Sequence, residues 1–296
     1  MTIGVIGVGR MGWPMAARVV EAGMEVVGTD ARAEVVAKLP QIGVRTAESP
    51  KQVSEQASTT ILMVMNAAQA DEAIWGPDGF AEGATPDSVL VTMASLPATY
   101  VQQLAVKAAG LFSVVDCPVS GGVEGAEAGT LTLMVAGDPA TVDRIEPVLA
   151  AVGSRVFRIG KTPGLGCVMK SINQAMFLSS LVTCAEMVLT GVKAGLDPDV
   201  VVEVVSKSSG DSWALRNRLP LVWRNDYVSG GALDLMVKDI GGALTLADEL
   251  GVDSTVTKAA ARIVQEGYDA HHGLGDDPLI IQTMEERNGV LLRPAS

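Results

Sequence analysis

Short apolar runs alternate with longer amphipathic segments over the first half of the chain. Short apolar runs bounded by turn residues are typical of buried strands, whereas apolar residues at every third or fourth position are typical of helices. The pattern predicts seven strands, at residues 2–6, 25–29, 60–65, 88–92, 112–115, 131–136 and 155–158. Strands that alternate with helices form a parallel, doubly wound sheet, so this half is predicted to be an α/β domain.

The alternation ends at a segment rich in glycine and proline, Gly160-Lys161-Thr162-Pro163-Gly164. Beyond it the pattern predicts no strand and five helices, at about residues 164–195, 198–208, 232–250, 254–270 and 277–287. We therefore expect two domains, an α/β domain at residues 1–161 and an all-helical domain at residues 162–296, joined by a long helix.

A glycine-rich turn directly follows the first strand. Gly7, Gly9 and Gly12 have the spacing G-x-G-x-x-G, and an apolar-periodic helix follows them. In the order strand, turn and helix, this spacing predicts dinucleotide binding of the Rossmann type. Gly7 allows the tight turn, Gly9 lets the backbone approach a pyrophosphate, and Gly12 lets the helix pack on the strand. An ordinary turn is the alternative interpretation.

An acidic residue, Asp30, follows the second strand, 23 positions after Gly7. This is where a carboxylate meets the ribose hydroxyls of a dinucleotide, and its charge would repel a ribose phosphate. The predicted cofactor is therefore NAD, with NADP as the alternative, because Arg32 either pairs with such a phosphate or is simply solvated. In the alternative to dinucleotide binding, Asp30 is only a helix cap.

The composition of this 296-residue chain excludes several classes of partner. The formal net charge is −12 without a basic run, which argues against nucleic acid. No apolar stretch reaches the roughly 18 residues that span a bilayer, and the early first strand leaves no signal peptide. Three cysteines without a C-x-x-C and two adjacent histidines suggest neither a disulfide framework nor a metal site. We expect a cytoplasmic protein without a metal.

Lys170 is the one charged residue between Thr162 and Ala185, in the first long helix of the second domain. A helix that is apolar on nearly all sides is expected to be central and buried. Burial removes hydration from an ammonium group and lowers its pKa, which suits proton transfer near neutral pH. Asn173 and Gln174 lie on the same helical face. The alternative is a lysine whose stem lies along the helix and whose ammonium reaches solvent.

A second polar segment runs from Asp116 to Thr132 and begins at the carboxyl end of the strand 112–115. Ligands of open parallel sheets bind at those ends. Ser120, with Gly121 and Gly122, offers a hydroxyl and exposed backbone N–H groups, which suit a carboxylate. A flexible surface loop is the alternative interpretation.

Four segments, in this order, resemble the motifs of the β-hydroxyacid dehydrogenase family. That family includes 3-hydroxyisobutyrate dehydrogenases, tartronate semialdehyde reductases and the shorter relatives of 6-phosphogluconate dehydrogenase. The segments are residues 7–16 around the glycine turn, 116–132 around Ser120, 164–174 around Lys170, and Lys238-Asp239-Ile240. The resemblance covers essentially the whole chain. It implies a Rossmann domain, a helical domain, and hydride transfer between a hydroxy acid and NAD or NADP.

The resemblance also implies roles for individual residues. Lys170 would be the general acid/base, and Asn173 would orient the substrate or Lys170. The other implied substrate-binding residues are Ser120, Gly121, Gly122, Gln174 and Trp213. The implied cofactor-binding residues are Gly7, Gly9, Arg10, Met11, Gly12, Asp30, Met65, Asn66, Ser95 and Lys238. Members of the family usually form homodimers or homotetramers.

Some residues depart from the commoner family pattern. Gln174 stands where many members have a second asparagine, and the segment 65–69 replaces a Leu-Pro. Gln174 is similar to tartronate semialdehyde reductases and to L-threonate dehydrogenases, whereas the segment 65–69, with residues 209–213 and 217–218, is most similar to L-threonate dehydrogenases. This resemblance implies a small, polyhydroxylated, anionic substrate. Lys170 and Lys238 would supply positive charge to it. Arg218 would add a third cation, or is alternatively a surface residue.

Other activities fit these residues less well. A 3-hydroxyisobutyrate dehydrogenase or a 2-hydroxy-3-oxopropionate reductase is the nearest alternative. Imine reductases share the architecture but typically lack the lysine, and 6-phosphogluconate dehydrogenases have a longer helical extension and a His-Asn in place of Asn173-Gln174. The alternative from another class is a non-catalytic NAD-binding regulator or scaffold, against which the presence of both Lys170 and Ser120 argues.

Overall fold

A computed structural model of the chain describes residues 1–292. The chain divides into two compact units, Met1–Lys170 and a second that begins at Ser171. One helix, α10 below, begins in the first unit and continues in the second.

The first unit contains a nine-stranded sheet. Its strands are β1 (Thr2–Ile6), β2 (Glu25–Thr29), β3 (Arg45–Thr46), β4 (Thr59–Leu62), β5 (Val89–Thr92), β6 (Ser113–Asp116), β7 (Val119–Ser120), β8 (Leu131–Ala136) and β9 (Gly153–Gly160). The strand order is β3-β2-β1-β4-β5-β6-β8-β7, and β9 pairs with β8. The strands from β3 to β6 are all parallel, whereas β8 pairs antiparallel with both β6 and β7.

All seven predicted strands are present, with bounds that differ by up to three residues. The sequence pattern missed β3 and β7, because two residues are too few to show a period. It also missed the antiparallel direction of β8. The chain reverses through a short helix between β7 and β8 instead of crossing the sheet, and a reversal leaves no mark in the hydrophobic pattern.

Helices cover both faces of this sheet. They are α1 (Gly12–Glu21), α2 (Ala33–Val36), α3 (Pro50–Gln56), α4 (Ala67–Trp75), α5 (Phe80–Gly83), α6 (Ala98–Ala108), α7 (Gly122–Ala128), α8 (Pro139–Arg144) and α9 (Glu146–Val152). Along β5, Val89 and Val91 enter one apolar core and Leu90 enters another, because successive side chains point to opposite faces. Two cores on the two faces confirm the predicted doubly wound class.

The second unit is helical. Its helices are the continuation of α10 (Leu165–Lys193), then α11 (Pro198–Ser206), α12 (Trp213–Asn217), α13 (Leu219–Trp223), α14 (Leu233–Glu249), α15 (Thr255–Ala270) and α16 (Pro278–Asn288). Between residues 161 and 292 no strand forms, as predicted. The pattern missed α12 and α13, which are single turns too short for a 3.6-residue period. The hydroxyl of Ser212 starts α12 by accepting the Leu215 N–H at 3.1 Å.

The long helix α10 is less buried than its composition indicates. Leu178, Leu181 and Val188 lie in the core of the second unit, but Met176 is 67% exposed and Met187 is 58% exposed. The expectation of a helix buried on all sides is therefore wrong, because composition does not reveal which side has a neighbour. By length and composition α10 would also suffice to cross a bilayer, which corrects the expectation that no apolar stretch is that long. Its packing into the core accounts for the apolar side chains on its buried side.

Candidate active site

Two glycines of the turn after β1 are required by packing. Gly7 has φ +87° and its N–H donates to the carbonyl oxygen of Thr29 at 3.0 Å. A Cβ on Gly7 would collide with the carbonyl of Met63, and a Cβ on Gly12 would collide with the carbonyl of Gly7. The start of α1 is therefore pressed against the end of β1, as the spacing predicts.

Gly9 differs from the other two because open space lies beside it. A Cβ placed there would find only the guanidinium of Arg32, 3.6 Å away. Met11, at the start of α1, gives the helix no side-chain cap, and the Trp13 N–H donates to the carbonyl oxygen of Gly9 at 2.9 Å. Open space beside a glycine and an uncapped helix start fit a pyrophosphate.

Asp30 lies just after β2, and its carboxylate is held from two sides. Its Oδ2 accepts the N–H of Val8 at 2.8 Å, and its Oδ1 accepts the N–H and Nε–H of Arg32 at 3.0 and 2.9 Å. Burial alone would raise the pKa of Asp30, but the hydrogen bonds from Arg32 and Val8 outweigh it and lower the pKa below its ordinary value. Asp30 is therefore ionised, and Arg32 is its ion-pair partner rather than a simply solvated residue.

A cavity of about 270 Å³ opens beside this ion pair. Its walls combine residues of the glycine turn with one aromatic, two aliphatic and three basic residues. The lining residues are Val8, Gly9, Arg10, Trp13, Arg32, Val35, Lys38 and Gln41. The apolar side chains of this lining suit an adenine ring, and its three cations suit phosphate.

The predicted cofactor residues Met65 and Ser95 follow β4 and β5, which run parallel to β1 in the sheet. The carboxyl ends of these three strands therefore meet at one edge, beside the glycine turn. Met65 is 48% exposed, and Ser95 is half-buried. The side chain of Asn66 accepts the Gln69 N–H at 2.9 Å and caps α4, so Asn66 has a structural task at this edge.

Ser120, Gly121 and Gly122 lie in ordered structure rather than in a loose loop. Ser120 ends β7 and pairs with Thr132 of β8. Gly121 and Gly122 have φ of +133° and +65°, a region that favours glycine, and Gly122 begins α7. Ser120 is half-buried, whereas both glycines are exposed. The segment therefore presents a hydroxyl and backbone N–H groups from a fixed position.

Lys170 is the last residue of the first unit and lies in the second turn of α10. It is half-buried rather than fully buried. Met169, one residue before it, and Ile172, two residues after it, are 38% and 45% exposed. Lys170 thus lies in a partly exposed stretch of α10.

Within the second unit, three side chains form a hydrogen-bonded chain. Asn173 Nδ2 donates to Gln174 Oε1 at 3.0 Å, and Gln174 Nε2 donates to Asp239 Oδ2 at 2.9 Å. Lys238 Nζ lies 3.8 Å from Asp239 Oδ1. The sequence marked Asn173, Gln174 and Lys238, but gave Asp239 no role. The sequence nevertheless contains a signal for Asp239. It lies on α14 next to the buried side of the helix that Met236 and Ile240 mark, and an acidic residue in such a position is expected to have a polar partner.

Trp213 and Arg218 lie together in the second unit. Trp213 is 51% exposed, and its ring meets that of Phe177 edge-on at 5.5 Å. The guanidinium of Arg218 lies 4.7 Å from the Trp213 ring centroid and forms a 2.9 Å ion pair with Asp277, which is fully buried. Arg218 is therefore not a surface residue, and its charge is matched by Asp277. Residues 1–292 contain no cluster of three acidic, histidine or cysteine side chains fit for a metal ion.

Comparison with known proteins agrees with this geometry. The family model for the NAD binding domain of 6-phosphogluconate dehydrogenase matches residues 2–160. The model for the NAD-binding domain of NADP-dependent 3-hydroxyisobutyrate dehydrogenase matches residues 164–284. A cofactor-binding sheet domain followed by this helical domain defines an NAD(P)-dependent dehydrogenase of hydroxy acids.

Individual relatives show which family of dehydrogenases this chain resembles. The L-threonate dehydrogenase of Cupriavidus necator is 32% identical over 95% of both chains, and the 2-(hydroxymethyl)glutarate dehydrogenase of Eubacterium barkeri is 33% identical over 97% of this chain and 96% of that one. A crystal structure of 3-hydroxyisobutyrate dehydrogenase from Salmonella typhimurium superposes with a TM-score of 0.83 at 31% identity, covering 95% of this chain and 99% of that one. The chain belongs to the β-hydroxyacid dehydrogenase family.

Proposed function

We propose that this dehydrogenase oxidises a small polyhydroxylated acid of the L-threonate type, with NAD as the hydride acceptor and Lys170 as the general acid/base. The observation that carries the proposal is the polar face of α10, where the half-buried Lys170 is followed by Asn173 and Gln174 at one-turn spacing. The L-threonate dehydrogenases among the relatives support the substrate class.

The proton moves through Lys170. In its neutral form the amine takes the hydroxyl proton of the substrate at Nζ, and in the reverse direction the ammonium returns it to the developing alkoxide. When bound, the nicotinamide accepts the hydride that leaves the carbinol carbon. The carboxamide of Asn173, held by Gln174 at 3.0 Å, orients the substrate or the Lys170 amine.

The substrate carboxylate is assigned to the segment after β7. The hydroxyl of Ser120 and the N–H groups of Gly121 and Gly122 are donors that need no counter-charge to bind an anion. Their positive-φ backbone keeps these donors in place without side chains in the way. Lys170 adds positive charge in a chain that is otherwise acidic. Trp213 and Lys238 are assigned to the substrate and the cofactor respectively, on the family resemblance alone.

The cofactor choice follows from Asp30. An ionised carboxylate beside the adenosine cavity accepts hydrogen bonds from the two ribose hydroxyls of NAD. NADP is the alternative, since Arg10, Arg32 and Lys38 line the same cavity. Gly7, Gly9, Met11 and Gly12 are assigned to the pyrophosphate, and Met65, Asn66 and Ser95 to the rest of the dinucleotide.

We also propose a homodimer or homotetramer in the cytoplasm. The exposed apolar residues of α10 support self-association, since large apolar side chains repeated on one exposed helix favour a protein partner. Light scattering coupled to size exclusion gives the subunit count, and a monomer at micromolar concentration would contradict this part of the proposal.

The test of the activity is a panel of acids with each cofactor. Purified protein is mixed with NAD or NADP and with L-threonate, D-threonate, D-glycerate or 3-hydroxyisobutyrate, and reduced nicotinamide is followed by its absorbance. We expect the highest kcat/KM for L-threonate with NAD. A higher value for 3-hydroxyisobutyrate would favour the second candidate, which the 35% identity to the Pseudomonas aeruginosa enzyme of that name supports.

A further inference from the structure

Asp116, the last residue of β6, has a fully buried side chain that no role above requires. Its Oδ2 accepts the backbone N–H of Gly164 at 2.8 Å and that of Cys167 at 2.9 Å. Its Oδ1 accepts the thiol of Cys167 at 3.2 Å. Gly164 directly precedes α10 and Cys167 lies in its first turn, and Lys170 is three residues beyond Cys167.

The carboxylate of Asp116 and the backbone of α10 are in close contact at Gly166. A Cβ on Gly166 would lie 2.9 Å from Asp116 Oδ2 and would collide with the carbonyl of Met134. Only glycine fits there without a shift. Because β6 and β8 fix the position of Asp116 and Met134 in the sheet, they also fix the start of α10.

The charges at this contact are complementary. The first N–H groups of a helix carry partial positive charge, which an anion stabilises. Burial raises the pKa of the Asp116 carboxyl, and the N–H and thiol donors act against that rise. Burial and the nearby carboxylate also raise the pKa of the Cys167 thiol, so the thiol keeps its proton and donates it to Asp116.

We propose that Asp116 is a positioning residue for Lys170. Its carboxylate holds the first turn of α10 against the sheet, and the helix carries that placement to the amine in the next turn. The carboxylate and the amine that it positions both lie within the first unit. This inference rests on the proposed acid/base role of Lys170.

The test compares two equivalent substitutions. Asp116→Asn removes the charge and replaces one of the two acceptor oxygens by an amide N–H₂ group, which donates instead of accepting. Asp138→Asn is the matched control, because Asp138 accepts the Thr141 N–H at 2.9 Å at the start of α8 in the same unit. Each kcat is normalised to the fraction of protein that binds NAD, so loss of folded protein does not enter it.

We expect Asp116→Asn to lower kcat for L-threonate about 100-fold, the cost of misplacing a reacting group by about 1 Å. The KM values for L-threonate and NAD should stay within about twofold, and a deuterium isotope effect on kcat should increase because the chemical step becomes slower. Amide hydrogen exchange in residues 164–170 should become faster. Asp138→Asn should change none of these.

Two outcomes would overturn the proposal: a normalised kcat for Asp116→Asn within about twofold of wild type, or an equal loss in Asp138→Asn. If Asp116→Asn does not fold, Cys167→Ala, which removes only the thiol donor, should lower kcat in the same direction by a few-fold at unchanged KM; an unchanged kcat contradicts the proposal. If wild type oxidises no acid, the proposed function fails separately, and hydrogen exchange still decides whether Asp116 holds the segment that ends at Lys170.

Discussion

The carboxamide of Gln174 donates a 2.9 Å hydrogen bond to the carboxylate of Asp239, which joins α10 to α14 inside the second unit. Both side chains are largely buried: Gln174 is 9% exposed and the side chain of Asp239 is 10% exposed. The same Gln174 accepts a hydrogen bond from Asn173. Asp239 therefore controls the orientation of Asn173 through one intermediate.

Substitution of Gln174 by leucine should cost both stability and substrate affinity. It removes a donor from a buried carboxylate, which lowers the free energy of unfolding by about 1–3 kcal/mol. Asn173 loses its acceptor, so KM for the hydroxy acid should increase roughly tenfold. Denaturant unfolding and steady-state kinetics measure the two effects.

The matched control for this prediction is Gln265→Leu. Gln265 donates to Asp269 at 2.8 Å on the exposed face of α15, so the same pair of residue types is broken in solvent. Its effect should stay within about 0.5 kcal/mol. Equal losses from the two substitutions would show that burial of Gln174 and Asp239 adds nothing.

Replacement of Lys170 by methionine should remove the proton carrier and leave the helix intact. The stem of the side chain is kept, so we expect NAD affinity and thermal stability close to wild type. Turnover should fall by about 10²–10⁴-fold, the usual contribution of a general acid/base. Lys193→Met, in the exposed last turn of α10, is the control. Loss of NAD binding in Lys170→Met would mean that Lys170 is structural.

Alanine substitutions at Gly12 and Gly9 should have different effects, the first on stability and the second on cofactor binding. Gly12→Ala forces a Cβ into the carbonyl of Gly7, which should lower the free energy of unfolding by about 1–3 kcal/mol. Gly9→Ala meets open space in the structure, so stability should stay within about 0.5 kcal/mol. Its methyl group takes the place of the pyrophosphate, so NAD affinity should fall about tenfold or more, as titration calorimetry would show.

The Asp30 ion pair should make stability depend on pH. Because the pKa of Asp30 is lowered from 3.8 in the folded chain, the unfolded chain binds the proton more tightly. The stabilisation is therefore complete above the unfolded value and is lost as pH falls through the lower folded value. The difference in unfolding free energy between wild type and Asp30→Asn should shrink below about pH 4. Arg32→Gln should reduce that pH-dependent difference without abolishing it, because the backbone N–H groups of residue 32 and Val8 still donate to Asp30. An unchanged difference would show that the guanidinium of Arg32 does not contribute.

Arg32 should also influence the choice between NAD and NADP. Its guanidinium faces the cavity beside Gly9, so Arg32→Ala should lower NADP affinity by about tenfold to a hundredfold, the value of a charged hydrogen bond. NAD affinity should change much less. Arg45→Ala, at a side chain that pairs with Gln56 instead, is the control. Equal losses of affinity for NAD and NADP would show that Arg32 serves only as the ion-pair partner of Asp30 and does not contact the additional phosphate of NADP.

The sequence predicts the fold well because periodicity is a local property. Every strand of four or more residues and every helix of nine or more residues beyond residue 161 appears where the hydrophobic pattern places it. The pattern does not show which side of α10 is covered, since an apolar side chain is the same residue whether Leu181 is packed or Met176 is exposed.

The parts of the site that escaped prediction depend on distant partners. Asp116 meets Cys167 across 51 positions, and Gln174 meets Asp239 across 65. No local pattern links such pairs. The sequence does not decide between the two interpretations of Arg32 for a different reason. Its partner Asp30 is only two residues away, but their ion pair depends on the turn that the backbone takes after β2.

Lys170, Asn173 and Gln174 lie on one uninterrupted helix. Their spacing in the sequence therefore sets the angle between their side chains around the helix axis as well as the distance between them. Each residue of an α-helix turns the next by about 100°. One residue deleted between Lys170 and Asn173 would rotate Lys170 by about 100° relative to Asn173 and Gln174, even though all three side chains remained in the chain. Variation in length therefore belongs in exposed turns such as residues 251–253, and an alignment with a gap inside 170–174 would assign the wrong residues to catalysis.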